Sequence, residues 1–254
     1  GRPKENFCSL GNGSVDLLEG IPRLNASTTR LDDVHDQPDV PDLAGGLIQV
    51  GNTSPGVICR NVLILGSSVH DGEVLPPSPP GDVRGYDLDT GALLWEFHTV
   101  PRQGELGADT WGNETWRDNG NTNVWAPISA DETLGSVYLP ISCPTNNYYG
   151  GQRPGDNLFA NSVVSLDCQT GQRNWHYQTV HHDIWDYDLP AAPILMDITV
   201  NNQPVRALAQ LSKQGFVYVL DRVSGQPVWP IIEMPMPAST VPGEVTSPTQ
   251  PIPT

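Results

Sequence analysis

The segment His181-His-Asp-Ile-Trp-Asp186-Tyr-Asp188 sets two imidazoles and three carboxylates within eight residues. A carboxylate within hydrogen-bond reach of a substrate hydroxyl can take its proton, so this segment is a candidate for general-base chemistry. On residue types alone, each acid is equally a loop carboxylate bonded to backbone. The adjacent imidazoles invite a metal, but neighbours along an extended chain face opposite ways and make poor co-ligands. Lys213 follows Asp186 by 27 residues. A cation there could stabilise developing negative charge; it could equally be a surface lysine ahead of the strand Phe216–Leu220. Trp125, in Asn123-Val-Trp125, offers either a flat face for a fused ring system or a core indole. Cys8, Cys59, Cys143 and Cys168 have the spacing of no zinc or redox motif, and their pairing is open. Free buried thiols are the favoured reading.

The elements that would position these groups are short strands. Apolar, β-branched runs predict strands at Val57–Leu65, Val83–Leu88, Leu93–His98, Val124–Ser129 and Ser136–Ile141. Further strands are expected at Ser162–Leu166, Asn174–Thr179, Ile194–Val200, Ala207–Leu211 and Phe216–Leu220. Residues 101–123 read as a long polar loop, and residues 230–254, with seven prolines, as an extended connection. The acidic stretch Leu31–Asp42 reads as a solvated loop.

Three segments share one pattern, D-x-x-[TS]-G-x-x-x-W: Asp87 to Trp95, Asp167 to Trp175 and Asp221 to Trp229. Glycine supplies the positive φ of a tight turn, and Asp with Thr or Ser can bond its backbone. A tryptophan four residues beyond can wedge between neighbouring sheets. Intervals of this size accommodate four short strands and loops, which is one propeller blade. Each repeat is therefore expected to close a four-stranded antiparallel sheet, with the three tryptophans equivalent and little helix.

Composition agrees. The 254 residues carry 13 Lys+Arg against 29 Asp+Glu, a net charge of −16, with 25 Gly and 25 Pro. A pI near 4.5 argues against nucleic acid as a partner, because phosphate binding needs a basic face. No apolar run is long enough for a membrane span. A turn-rich, soluble, mostly β chain remains.

The repeat resembles the tryptophan-docking motif of quinoprotein dehydrogenases, which use pyrroloquinoline quinone (PQQ). Gly66-Ser-Ser-Val, Val83-Arg-Gly-Tyr-Asp, Asn123-Val-Trp-Ala-Pro, Tyr148-Tyr-Gly-Gly, Arg153-Pro-Gly-Asp-Asn, Thr179 to Pro190 and Lys213 to Arg222 resemble that family, in the family's order. The form HHDIWDYDLP is most similar to the membrane-associated glucose and polyol dehydrogenase branch. The likeness covers most of residues 45–245; residues 1–45 match less clearly. It implies an all-β fold, a partial eight-bladed β-propeller with about half the ring, and a chain that is a fragment of a longer protein. Residues 1–254 would then be part of a single PQQ-binding domain.

The resemblance also implies roles. Asp186 would be the general base, and Lys213 would contact the quinone oxygens. Trp125 would form the floor under the cofactor, with Thr53 and Ser68 bonding it. A Ca²⁺ or Mg²⁺ ion would be held by Asp71, Asp186 and the residue at position 143. There the sequence departs from the family, with Cys143 in Ser142-Cys-Pro-Thr145 where an asparagine is usual. A thiol is a poor ligand for a hard cation. The implied activity is oxidation of a sugar or polyol hydroxyl with electrons passed to a quinone acceptor, in the periplasm or outside the cell. Two rivals stand beside it. One is a catalytically degenerate propeller serving as a binding module, for which Cys143 speaks. The other is a PQQ alcohol dehydrogenase of other substrate range, whose haem-bearing branch is disfavoured by the lack of C-x-x-C-H and of adjacent cysteines.

Overall fold

The computed structural model describes residues 50–69 and 77–254, all within one compact unit, Asp39–Thr254. The acidic stretch Leu31–Asp42, Cys8, and Asp71 among the candidate ligands lie outside the described residues.

In chain order the strands are β1 (Val50–Gly51), β2 (Val57–Cys59), β3 (Val62–Leu65), β4 (Ser68–Val69), β5 (Val83–Asp87), β6 (Leu93–Phe97), β7 (Ser129–Asp131), β8 (Ser136–Pro140), β9 (Ser162–Asp167), β10 (Arg173–Gln178), β11 (Ile194–Val200), β12 (Gln203–Leu211), β13 (Val217–Asp221), β14 (Ile231–Pro235) and β15 (Thr249–Pro253). They form antiparallel meanders: a first sheet β2-β3-β5-β6, a second β7-β8-β9-β10 and a third β11-β12-β13, with two-stranded pairs β1-β4 and β14-β15. The 101–123 loop carries only short 3-10 turns, at Ala108–Thr110 and Gly112–Arg117.

Each repeat builds the same turn. The aspartate Oδ1 accepts from the backbone N–H of the Thr or Ser three residues on, at 2.8 Å in the first repeat and 2.9 Å in the other two. The glycine N–H closes onto the aspartate carbonyl, and the glycines sit at φ 73°, 69° and 74°. Trp95 then donates its indole N–H to the Cys168 carbonyl, and Trp175 to that of Arg222, both at 3.1 Å. Each ring lies against the next repeat's glycine. A Cβ on Gly171 would fall 2.6 Å from the Trp95 ring, and one on Gly225 the same distance from Trp175. Glycine is thus required twice over, for its φ and for the indole against it. The two tryptophans anchor two buried clusters: Ile64, Val83, Leu139, Val164 and Leu166 around Trp95, and Tyr138, Leu208 and Leu220 around Trp175.

Five expectations need correction. Val57–Leu65 is a hairpin rather than one strand, because Arg60 turns the chain at φ 55°. Val124–Ser129 is loop up to the β7 start, which frees Trp125 from a sheet. Residues 230–254 hold the pair β14-β15, since every other residue can still pair across prolines in an isolated two-stranded ribbon. The third repeat lacks a full fourth strand: Pro227, with no N–H to give, leaves one bridge to Leu220, and Trp229 is 48% exposed against 8% and 7% for Trp95 and Trp175. Finally, Cys59 and Cys168 are not free thiols but a buried disulfide joining the first sheet to the second across 109 residues; Cys143 is free and buried.

Candidate active site

The loop from Val180 to Pro190 has no strand, and its shape comes from Asp183. That buried carboxylate accepts from the N–H of Trp185 at 2.9 Å, of Tyr187 at 2.8 Å, and from Asn161 Nδ2 at 2.9 Å. Burial pushes its pKa up to about 6, against these donors and nearby Arg153. Arg153, wholly buried, ties the loop to its neighbours by donating to the carbonyls of Thr145, Asn146 and Asp183. Burial lowers its pKa to about 10. Trp185 and Tyr187 stack at 5.5 Å on the same loop. The outcome is Asp186 held at φ 62°, a conformation that favours glycine but that aspartate tolerates best among charged residues.

Around Asp186 four segments converge. Lys213, just ahead of β13, donates from Nζ to Asp186 Oδ2 at 2.8 Å and to Asp188 Oδ2 at 2.9 Å. Trp125 donates from Nε1 to Asp188 Oδ2 at 3.2 Å, and the Lys213 ammonium lies 5.9 Å from its ring centre. The Cys143 backbone N–H gives Asp188 Oδ1 a 2.7 Å bond, while its thiol lies 3.4 Å from Asp186 Oδ1. Asn147 and Tyr148 add donors to Asp186 at 3.4 and 3.3 Å. One donor atom each of Cys143, Asp186 and Asp188 lies within 4.8 Å of the others.

The electrostatics follow from this enclosure. Burial raises the Asp188 carboxyl, opposed by the Cys143 N–H and Lys213. Burial works against the Lys213 ammonium too, yet its bonds to the two carboxylates hold its pKa above the ordinary lysine range. Burial, then the carboxylates around it, push the Cys143 thiol well up, so it stays protonated at neutral pH. The arrangement can orient a carboxylate against a bound hydroxyl, beside a fixed cation and a partly exposed indole face.

Of the sequence-derived candidates, Trp125, Asp186, Lys213 and Cys143 come together. Thr53 reaches the cluster only through backbone, donating to the Trp125 carbonyl at 3.2 Å beside Ser54, which does the same at 2.5 Å. Ser68, in β4, pairs with Gly51 in β1, two residues before Thr53. His181 and His182 point apart, His181 to Gln178 and Glu233, His182 to the Gly155 carbonyl. Sequence reasoning gave Asn147 and Tyr148 no role and carried Asp188 only as one of the segment's three carboxylates. Asp188 lies only two residues beyond Asp186, but with Asp186 at φ 62° the loop is not extended, so no alternation rule along the chain announces that the two meet.

A family model described as the PQQ-class glucose/ethanol/alcohol dehydrogenase β-propeller domain matches residues 1–254. The chain belongs to this family. Within the PQQ dehydrogenases it is 40% identical over 216 residues to a quinoprotein glucose dehydrogenase of Escherichia coli, covering 85% of this chain and 26% of that one. It is 38% identical over 251 residues to the glycerol dehydrogenase large subunit of Gluconobacter oxydans, covering 97% and 30%. Its fold matches the quinohemoprotein alcohol dehydrogenase of Comamonas testosteroni with TM-score 0.64 at 26% identity, over 83% of this chain and 32% of that one. The chain therefore spans less than a third of these relatives, and its sheets are part of a PQQ-dehydrogenase propeller.

Proposed function

We propose that residues 1–254 are part of a single PQQ-binding domain of a dehydrogenase that oxidises a sugar or polyol hydroxyl and passes the electrons to a quinone acceptor. The observation that carries this reading is the convergence of Trp125, Lys213 and Asp186 from segments far apart in sequence. The donor set suits a planar, multiply anionic quinone: an ammonium near an indole face that is only partly covered. When bound, that cofactor supplies the hydride acceptor. Asp186 takes the hydroxyl proton through a carboxylate oriented by Lys213, Tyr148 and Asn147. Lys213, held between Asp186 and Asp188, would present positive charge to the quinone oxygens. Thr53 and Ser68, from the β1-β4 pair and the loop beside it, would hydrogen-bond the cofactor.

The same residues suit a hard divalent cation only in part. Asp186 and Asp188 are apt oxygen donors, with Asp71 as a further candidate. Cys143, as a protonated thiol, is not. In this reading Ca²⁺ or Mg²⁺ rests on the carboxylates, and affinity is weakened at Cys143. A periplasmic or secreted location is supported by the Cys59–Cys168 bond, since disulfides persist in oxidising compartments. The strongly acidic charge argues against nucleic acid, and no helix among the described residues is long and apolar enough to cross a membrane.

The test is reconstitution of the full-length protein with PQQ and Ca²⁺ or Mg²⁺, followed by dye reduction with glucose, glycerol and other polyols. Turnover with one of these supports the reading. Tight PQQ binding without turnover on any alcohol would instead favour the degenerate propeller.

A further inference from the structure

The first sheet carries a second cluster of chemistry-bearing groups, none of them used above. Asp82 precedes β5, and Glu96 and His98 lie at the end of β6, two residues apart and so on one face. One donor atom from each lies within 4.8 Å of the other two. In each residue one heteroatom is already engaged elsewhere. Asp82 Oδ1 accepts from the Thr99 N–H at 3.1 Å, Glu96 Oε1 pairs with Arg84 at 2.5 Å, and His98 Nδ1 meets Glu105 Oε1 at 2.8 Å. The remaining atoms are Asp82 Oδ2, Glu96 Oε2 and His98 Nε2, the last two paired with each other at 3.5 Å, a contact that a cation between them would replace.

Asp82 is the telling member. It is 2% exposed, and its Oδ2 has no hydrogen bond. Arg102 forms a loose ion pair with it at 3.6 Å, from a side chain that is 43% exposed. A buried carboxylate oxygen without a hydrogen bond is costly, and a coordinated cation is one of the few ways to compensate it. The Glu105–His98 contact is the carboxylate–imidazole pairing that fixes the orientation of metal-bound histidines.

We propose that Asp82, Glu96 and His98 bind a divalent transition cation of the zinc class, with Glu105 orienting the imidazole. One imidazole nitrogen with two carboxylate oxygens suits such a borderline ion, and three protein ligands leave a fourth position for water. Since Arg102 and Glu105 belong to the loop after β6, the ion would clip that loop to the first sheet.

The test uses the full-length protein, stripped with chelator and titrated with Zn²⁺ alone, with bound metal measured by equilibrium dialysis. Wild type is expected to bind one equivalent that His98→Gln does not, and Glu105→Gln is expected to bind it about 10–100-fold more weakly. Because a variant could lose metal by misfolding, X-ray absorption on wild type with one Zn²⁺ provides a second readout. Nitrogen and oxygen neighbours without sulfur support the proposal. A sulfur neighbour would place the ion at Cys143 and overturn it, as would wild-type stoichiometry in a folded His98→Gln.

Discussion

Aspartates serve opposite ends in two regions of this chain. In the repeat turns, Asp87, Asp167 and Asp221 each satisfy one carboxylate oxygen within three residues of themselves. In the candidate active site, Asp186 and Asp188 find partners 25 to 63 residues away. Turn carboxylates close local loops, and Asp167 is held below the usual range: burial raises it, but the bonds from Thr170 outweigh that. Asp188 is enclosed instead, and burial drives it upward, as it does Asp183, although that carboxylate takes two of its donors from its own loop. Local partners make a stable repeat; remote partners and enclosure make a site whose groups are poised for work at a cost in stability.

The contrast can be broken in order of size. Asp186→Asn should lower kcat by about 10²–10⁴-fold, as loss of a general base does, with little change in unfolding midpoint. A comparable loss of stability would make Asp186 a structural residue. Replacing Cys59 and Cys168 by serine should do the reverse. Freeing a loop of 109 residues should cost about 4–5 kcal/mol in urea unfolding, with kcat retained in the folded fraction. Asp167→Ala removes the bonds to Gln169 and Thr170 and should cost about 1 kcal/mol with no effect on turnover.

The smallest effect concerns pH and has opposite signs in the two regions. A lowered carboxyl such as Asp167 adds stability that is present above its unfolded pKa near 3.8 and is lost as pH falls through its lower folded value. A raised one such as Asp183 adds stability that is present below about 3.8 and is lost as pH rises through about 6. The melting temperature of Asp167→Asn should therefore converge on wild type in acid and separate from it above about pH 4.

The same contrast explains what could be read in the sequence. The repeats are legible because turn, glycine and tryptophan lie within nine residues and act locally; only Pro227 spoils the third. Trp125, Asp186 and Lys213 were reached through family resemblance, because nothing in their local spacing shows that they meet. Asn147 and Tyr148 had no assigned role, and Asp188 stood only as one carboxylate among three, because their parts depend on how four segments cross. The Cys59–Cys168 bond was invisible for the same reason: it needs the second sheet's turn to lie beside the first sheet's outer strand.

In the proposed function Trp125, Lys213 and Asp186 form the cofactor platform. The most direct test is titration of full-length protein with PQQ, followed by tryptophan fluorescence, in wild type and Lys213→Ala with folding checked by circular dichroism. Loss of a charge-assisted contact of about 1.5–3 kcal/mol predicts roughly 10–150-fold weaker binding. A folded Lys213→Ala that binds PQQ as tightly as wild type would contradict it.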